Sequence, residues 1–257
     1  VSPIGGSHYD SLQAQLQRRF AQGVSMNVAY TFAKSITNSG SDVSDGTPPV
    51  AIPDLYYLNR SVSAFDRTHN LQITNITDLP FGRGRRWLKD SGVLTTIAGG
   101  WQLNSIVALM SGRPFSVTAS GASLNAPFST QRADQVKPEV EILGGVGRGT
   151  PYFDPFAFAA VNDARFGTAG FNSLRGPGRV NWDLSMFRDF RITEKVNLQF
   201  RGEGFNITNT PKFGTPGANV SNIQYNADGS VRNLNGFGEI ISASEEREFS
   251  LGLRLSF

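Results

Sequence analysis

The sequence contains no cysteine and only two histidines, His8 and His69. The first absence excludes a disulfide framework and any thiolate metal centre. The second leaves no H-E-x-x-H or other close histidine pair, so the usual zinc ligand sets are missing. No window approaches the ~18 uninterrupted apolar residues of a transmembrane helix. No G-x-S-x-G elbow is present. The run Gly144-Gly145-Val146-Gly147-Arg148-Gly149 lacks the Lys-Ser/Thr of a phosphate loop and reads as a mobile loop. Asp42 and Asp45 lie in a Ser/Gly-rich stretch without EF-hand spacing, which leaves calcium there a minor alternative. The net charge is only +3 and the arginines are scattered, so a nucleic-acid partner is not expected. Together these absences predict a protein that is not an enzyme and holds no cofactor or metal.

Charged residues make up 18% of the chain and hydrophobic residues 39%, too polar for helical membrane spans and too apolar for disorder. What fills it is alternation. Seven segments run apolar and polar with period two: 9–20, 24–33, 70–79, 101–109, 180–192, 196–206 and 247–257. In the last, Phe249, Leu251, Leu253, Leu255 and Phe257 share one face, and Ser250, Gly252, Arg254 and Ser256 the other. In 180–192 the apolar row is Trp182, Leu184, Met186, Phe190 and Ile192, opposed by Asn181, Asp183, Ser185, Asp189 and Arg191. Arg188 interrupts that apolar row and is placed near a membrane interface. In 196–206, Gln199, Arg201 and Glu203 oppose Leu198 and Phe200.

Each segment exceeds the ~5–6 residues of an ordinary strand and matches the ~9–11 that cross a bilayer at a tilt. The polar rows decide between a dry and a wet interior. A sandwich core would reject Gln, Asn, Asp, Glu and Arg, whereas a water-filled lumen accepts them. Aromatics near the segment ends, among them Tyr9, Phe20, Trp101 and Trp182, fit interfacial girdles. The competing reading is a soluble antiparallel sheet with one wet face. The predicted fold is therefore all-β: an antiparallel up-and-down transmembrane β-barrel, here a partial barrel of seven to eight long strands.

Connection lengths alternate as well. Residues 21–23 and 193–195 make short turns, whereas 37–66, 112–179 and 210–246 are long. With the C-terminus periplasmic, the short turns fall in the periplasm and the long loops outside. The intermediate connection, 81–99, is basic (Phe81-Gly82-Arg83-Gly84-Arg85-Arg86-Trp87) and reads as a solvated turn, with 93–98 as a helical turn or short strand as alternatives. Seven strands cannot close a roomy barrel, and bare edges are not tolerated in lipid. Residues 1–257 are thus expected to be the C-terminal portion of a barrel of ~22 strands, with Val1 a truncated or processed start.

The residues resemble a known family. Ser7-His8-Tyr9-Asp10-Ser11-Leu12-Gln13, Tyr30-Thr31-Phe32-Ala33-Lys34-Ser35, Asp66-Arg67-Thr68-His69-Asn70, Gly100-Trp101-Gln102-Leu103, Ser111-Gly112-Arg113-Pro114-Phe115 and Phe205-Asn206-Ile207-Thr208-Asn209 are similar, in order and spacing, to segments of Oar-like TonB-dependent transporters. The resemblance covers nearly the whole chain. It implies a bacterial outer-membrane receptor set in outer-membrane lipid, with a plugged lumen and energised uptake of a bulky nutrient. The TonB complex would act through an N-terminal part absent from this sequence. The end, Leu251-Gly252-Leu253-Arg254-Leu255-Ser256-Phe257 with Phe249 before it, resembles the signal read by the barrel-assembly machinery.

Two residue sets are candidates for function. Asp183, Asp189, Arg191, Gln199, Arg201, Glu203 and Arg254 would face the lumen, either pairing across strands, which is preferred, or lining a substrate path. Tyr152, Phe153, Phe156 and Phe158, in an aromatic-rich outer loop with Phe166 and Phe171, would either contact a nutrient ligand or pack on one another, the latter preferred. The rival function is a passive porin-like barrel or a structural or adhesin anchor.

Overall fold

A computed structural model describes residues 5–39, 49–82, 84–88 and 92–257 of the chain. Asp42, Asp45 and Arg83 lie outside the described residues.

All seven alternating segments are strands. They are β1 (Ser7–Ala21), β2 (Val24–Thr37), β3 (His69–Asp78), β4 (Trp101–Met110), β5 (Arg179–Arg191), β6 (Asn197–Phe205) and β7 (Glu248–Ser256). They form one sheet in sequence order, each antiparallel to the next, and the two-residue strand Ser61–Val62 adds to β2 as an eighth. Among the described residues the sheet is not closed, and β1 and β7 each keep a free edge.

Local chemistry sets the short ends. Gln22 and Gly23 both have positive φ (55° and 80°), the paired left-handed geometry that a two-residue hairpin loop requires. Between β5 and β6 the amides of Ile192 and Thr193 close onto the Val196 carbonyl. The connection between β3 and β4 is not a plain turn. Phe81 bridges to Trp87, Arg85 folds back onto Asp78 at 2.8 Å, and Val93–Ala98 form the short helix α1. The helix ends on borrowed donors. Trp101 Nε1 donates to the Ile97 carbonyl at 2.9 Å, and the Arg188 guanidinium donates to the Thr96 and Ile97 carbonyls. Arg188 is buried, stacked over Phe190 at 4.3 Å and near Trp101 at 5.6 Å. Its place in an apolar row thus has a structural reason: it satisfies carbonyls that a helix leaves open.

The hydrophobic core lies outside the sheet. The second and third long connections fold together into a head whose core includes Phe115, Val117, Phe153, Phe158, Val220 and Phe237, and the first is tied to it by hydrogen bonds, Thr130 amide to Pro49 carbonyl and Asn172 Nδ2 to Val62 carbonyl. Short ribbons hold it, such as Pro114–Phe115 with Leu174–Arg175 and Asp134–Gln135 with Phe158–Ala159. Gly144–Gly149 belongs to this packing, a correction to its reading as a mobile loop. The Gly147 amide donates to the Ile240 carbonyl and the Gly149 amide to Glu239 Oε1 at 2.6 Å.

Head and wall are joined through Asp66. Its buried carboxylate accepts from the Ser35 amide at 2.7 Å and from the Arg175 guanidinium at 2.5 Å. Nearby, Arg67 donates to the Ser111 carbonyl at 2.7 Å.

Candidate functional site

Strand register places the whole lumen-candidate set on one face. Asp189 is opposite Gln199, Gln199 opposite Arg254, Ser185 opposite Glu203, and Arg191 opposite Asn197. The aliphatic row occupies the reverse side: Leu198 faces Leu255, Phe200 faces Leu253 and Gly202 faces Leu251. Leu251 and Leu253 are 77% and 70% exposed, so no protein interior receives them.

A polar cleft of about 380 Å³ opens on the polar face, lined by Asp78, Gln102, Asn104, Asp189, Gln199 and Arg201. The contacts along this face differ from the expected cross-strand charge pairs. Gln199 donates to Asp189 at 3.0 Å, and Asp183 accepts from the Asn206 amide at 2.9 Å. The ion pair within the set, Arg201–Glu203 at 3.7 Å, runs along one strand. Arg201 also lies over the Phe187 ring at 4.8 Å. Phe187 shares the polar face and breaks the alternation; its ring is covered by a cation rather than by another apolar group. Among the described residues Arg191 and Arg254 form no ion pair and no side-chain hydrogen bond, which leaves them free toward water.

At the long-loop end of this face the charge becomes one-sided. A cleft of about 530 Å³ is lined by Arg67, Arg113, Arg179 and Lys212. Glu245 takes two of these cations, Arg179 and Lys212, each at 2.8 Å. Those bonds, the one from Lys212 foremost, hold the Glu245 carboxyl below its ordinary pKa. Arg67 is pulled below the ordinary guanidinium range by burial first, then by Arg113, Arg175 and Arg179. The excess positive charge favours anions at this mouth.

The aromatic loop candidates separate. Phe153 is 0% exposed at the centre of the head, with edge-on contacts to Phe158 (5.8 Å) and Phe237 (5.4 Å). Phe158 is buried too, and Tyr152 is partly buried against the same core. As direct ligand contacts Phe153 and Phe158 are therefore corrected: their surface is spent on packing. Phe156, 57% exposed, keeps an open ring.

A family model described as an outer membrane beta barrel domain matches residues 1–250. The chain belongs to this family. Its place is the bacterial outer membrane, and the two faces of the sheet then have two solvents. The apolar face carries Leu198, Phe200, Leu251, Leu253 and Leu255, and the polar face carries Asp189, Gln199, Arg201 and Arg254. Among curated proteins, none matches the chain.

Several residues of this barrel domain carry weight that sequence alone hid. Asn206 adopts a left-handed φ of 46°, and its side chain bonds the Thr210 amide and the Thr210 and Glu245 carbonyls. Asp66 and Asn206 both stand in motifs the family resemblance had marked, and their work is structural. Arg132, in the head, stood in no motif at all.

Proposed function

We propose that this chain is the C-terminal wall segment of a TonB-dependent outer-membrane receptor that takes up a bulky nutrient. In this reading the short-turn end and the C-terminus lie in the periplasm, and the head faces the medium. Further strands on the free edges complete the barrel. An N-terminal plug couples it to the TonB complex. The row Phe249, Leu251, Leu253, Leu255 and Phe257 serves the barrel-assembly machinery. The protein's own work is binding and passage, not catalysis.

The head carries this reading. Two of its connections share one packed core, the third is bonded onto them, and together they present clefts to their surroundings, as a receptor surface must and a bare wall need not. The family resemblance adds the order of motifs along the chain. Planar-bilayer conductance of the full-length gene product, with photo-cross-linking to TonB in cells, tests the reading. A plugged receptor stays closed and yields a TonB adduct. A steady open conductance with no adduct would make it a passive pore.

A further inference from the structure

Two separate connections meet at a second cleft of the head. The 3-10 helix Pro53–Asn59 supplies Leu55, Tyr57 and Leu58 from the first long connection. Leu124, Pro127 and Phe166 come from the second, and the cleft measures about 660 Å³. The seam is stitched by main-chain and side-chain bonds, Thr130 amide to Pro49 carbonyl at 2.7 Å and Ala51 amide to Ser129 Oγ at 3.1 Å. The volume lies within the ~300–1,000 Å³ of small-molecule sites, and its walls are mostly apolar.

Two arginines line this cleft, in opposite situations. Arg165 is spent: both terminal nitrogens hold Asp134, at 2.9 and 2.6 Å, and Asp163 lies 3.5 Å from its Nε. Arg132 is 8% exposed, and its buried Nε has no hydrogen-bond partner. Among the described residues its guanidinium donates to no acceptor and rests only against the Phe171 ring at 5.4 Å. A buried guanidinium nitrogen without an acceptor is costly to keep, because buried polar groups are as a rule hydrogen-bonded. Burial pulls its pKa down, opposed by the neighbouring Tyr57. Beside the cleft, Phe128 holds a left-handed φ of 60° with its ring 88% exposed. A bulky residue in that region is strained, and such strain gathers at functional segments.

We infer that this cleft binds an anionic amphiphile, a compact apolar body carrying one carboxylate, with Arg132 as the residue that receives the head group. Leu55, Leu58, Leu124 and Phe166 take the body. The planar guanidinium suits a carboxylate, to which it offers paired donors. The mouth lined by Arg67 and Arg113 has the same sign of charge, so a ligand of this class meets cations again on the polar face. The inference rests on the outward-facing head proposed above and names the substrate class of that receptor.

The test uses the full-length protein in nanodiscs and two calorimetric titrants, 4-phenylbutyrate and its uncharged counterpart 4-phenyl-1-butanol. The carboxylate should bind one to one, at least about tenfold tighter than the alcohol. Arg132→Ala should erase that difference. Ala164→Trp, a change at an exposed lining position, should abolish both affinities while heat-modifiable migration on gels is unchanged. Equal affinity for the two titrants, no saturable heat, or wild-type affinity in Ala164→Trp would overturn the site. Saturable binding without energised uptake of labelled 4-phenylbutyrate would sink the transport reading and leave the site standing.

Discussion

The wall and the head solve the same problem with opposite means. In the wall, strands of 9 to 15 residues alternate with few exceptions, Arg188 and Phe187 among them, and none of their side chains joins the core cluster of the head. The surrounding solvents sort them, lipid on one side and water on the other. In the head, strands shrink to two or three residues, and the sorting is done by protein: Phe153 against Phe158 and Phe237, Arg175 against Asp66. Period-two order belongs where solvent decides. Where distant segments decide, no period survives.

The sharpest way to break this comparison is to empty the head's centre. Phe153→Ala should cost about 3–5 kcal/mol, the usual range for a buried ring. Limited proteolysis should then cut the long connections readily. The wall should still assemble and still show heat-modifiable migration. Loss of assembly in the same variant would mean that head and wall fold as one unit.

The converse change strikes the wall alone. Leu253→Arg puts a cation into hydrocarbon near mid-strand, at about 2–4 kcal/mol, and should block assembly. Gln199→Lys, on the wet face, should be tolerated. Equal damage from both would show that the two faces do not have two solvents.

The same division explains what could be read from sequence. Each of the seven wall strands was legible because its residues answer to solvent, which every residue meets locally. Boundaries slipped where the head reaches down: β2 runs on to Thr37, beyond its alternating stretch. Ser35 there is buried and bonded to Ser63 and Asp66 from the next connection. Phe187 slipped as well, because a cation on β6 covers it. In the head, composition pointed at the aromatics but could not separate the buried Phe153 from the open Phe156. That choice depends on Phe237, more than eighty positions away. Arg132 carried no signal whatever. Its meaning comes from lacking a partner, a property of packing and not of sequence.

The junction between the regions should respond more gently. Asp66→Ala removes the acceptor for Arg175 and the Ser35 amide, a loss of about 1–3 kcal/mol. Both regions should persist but move relative to each other. Residues 1–257 contain no cysteine, so thiol labels introduced at Ser250 and Ala227 meet no competing thiol among them. Double electron–electron resonance should then show a broadened distance distribution. An unchanged distribution would mean that the remaining contacts hold the head without Asp66.

Acid offers the mildest separation. In the head, the Asp134 carboxyl is held below its ordinary pKa, first by the hydrogen bonds from Arg165. Glu245, at the junction, is lowered in the same way by Lys212. A carboxylate whose pKa is depressed by folding adds stability that is complete above its unfolded value, roughly 4, and fades as pH falls through the folded one. The wall's outer face is mostly apolar, with rows such as Leu251, Leu253 and Leu255 that carry no charge. Lowering the pH from 6 to 3 should therefore reduce the melting temperature of the head, followed by near-ultraviolet circular dichroism of its Tyr and Phe rings. Heat-modifiable migration of the wall should hold across that range. Asp134→Asn should lower the midpoint at pH 6 and flatten its decline toward pH 3, because the proton then has one site fewer to act on. A decline as steep in Asp134→Asn as in the natural chain would move the acid sensitivity to Glu245 and the junction.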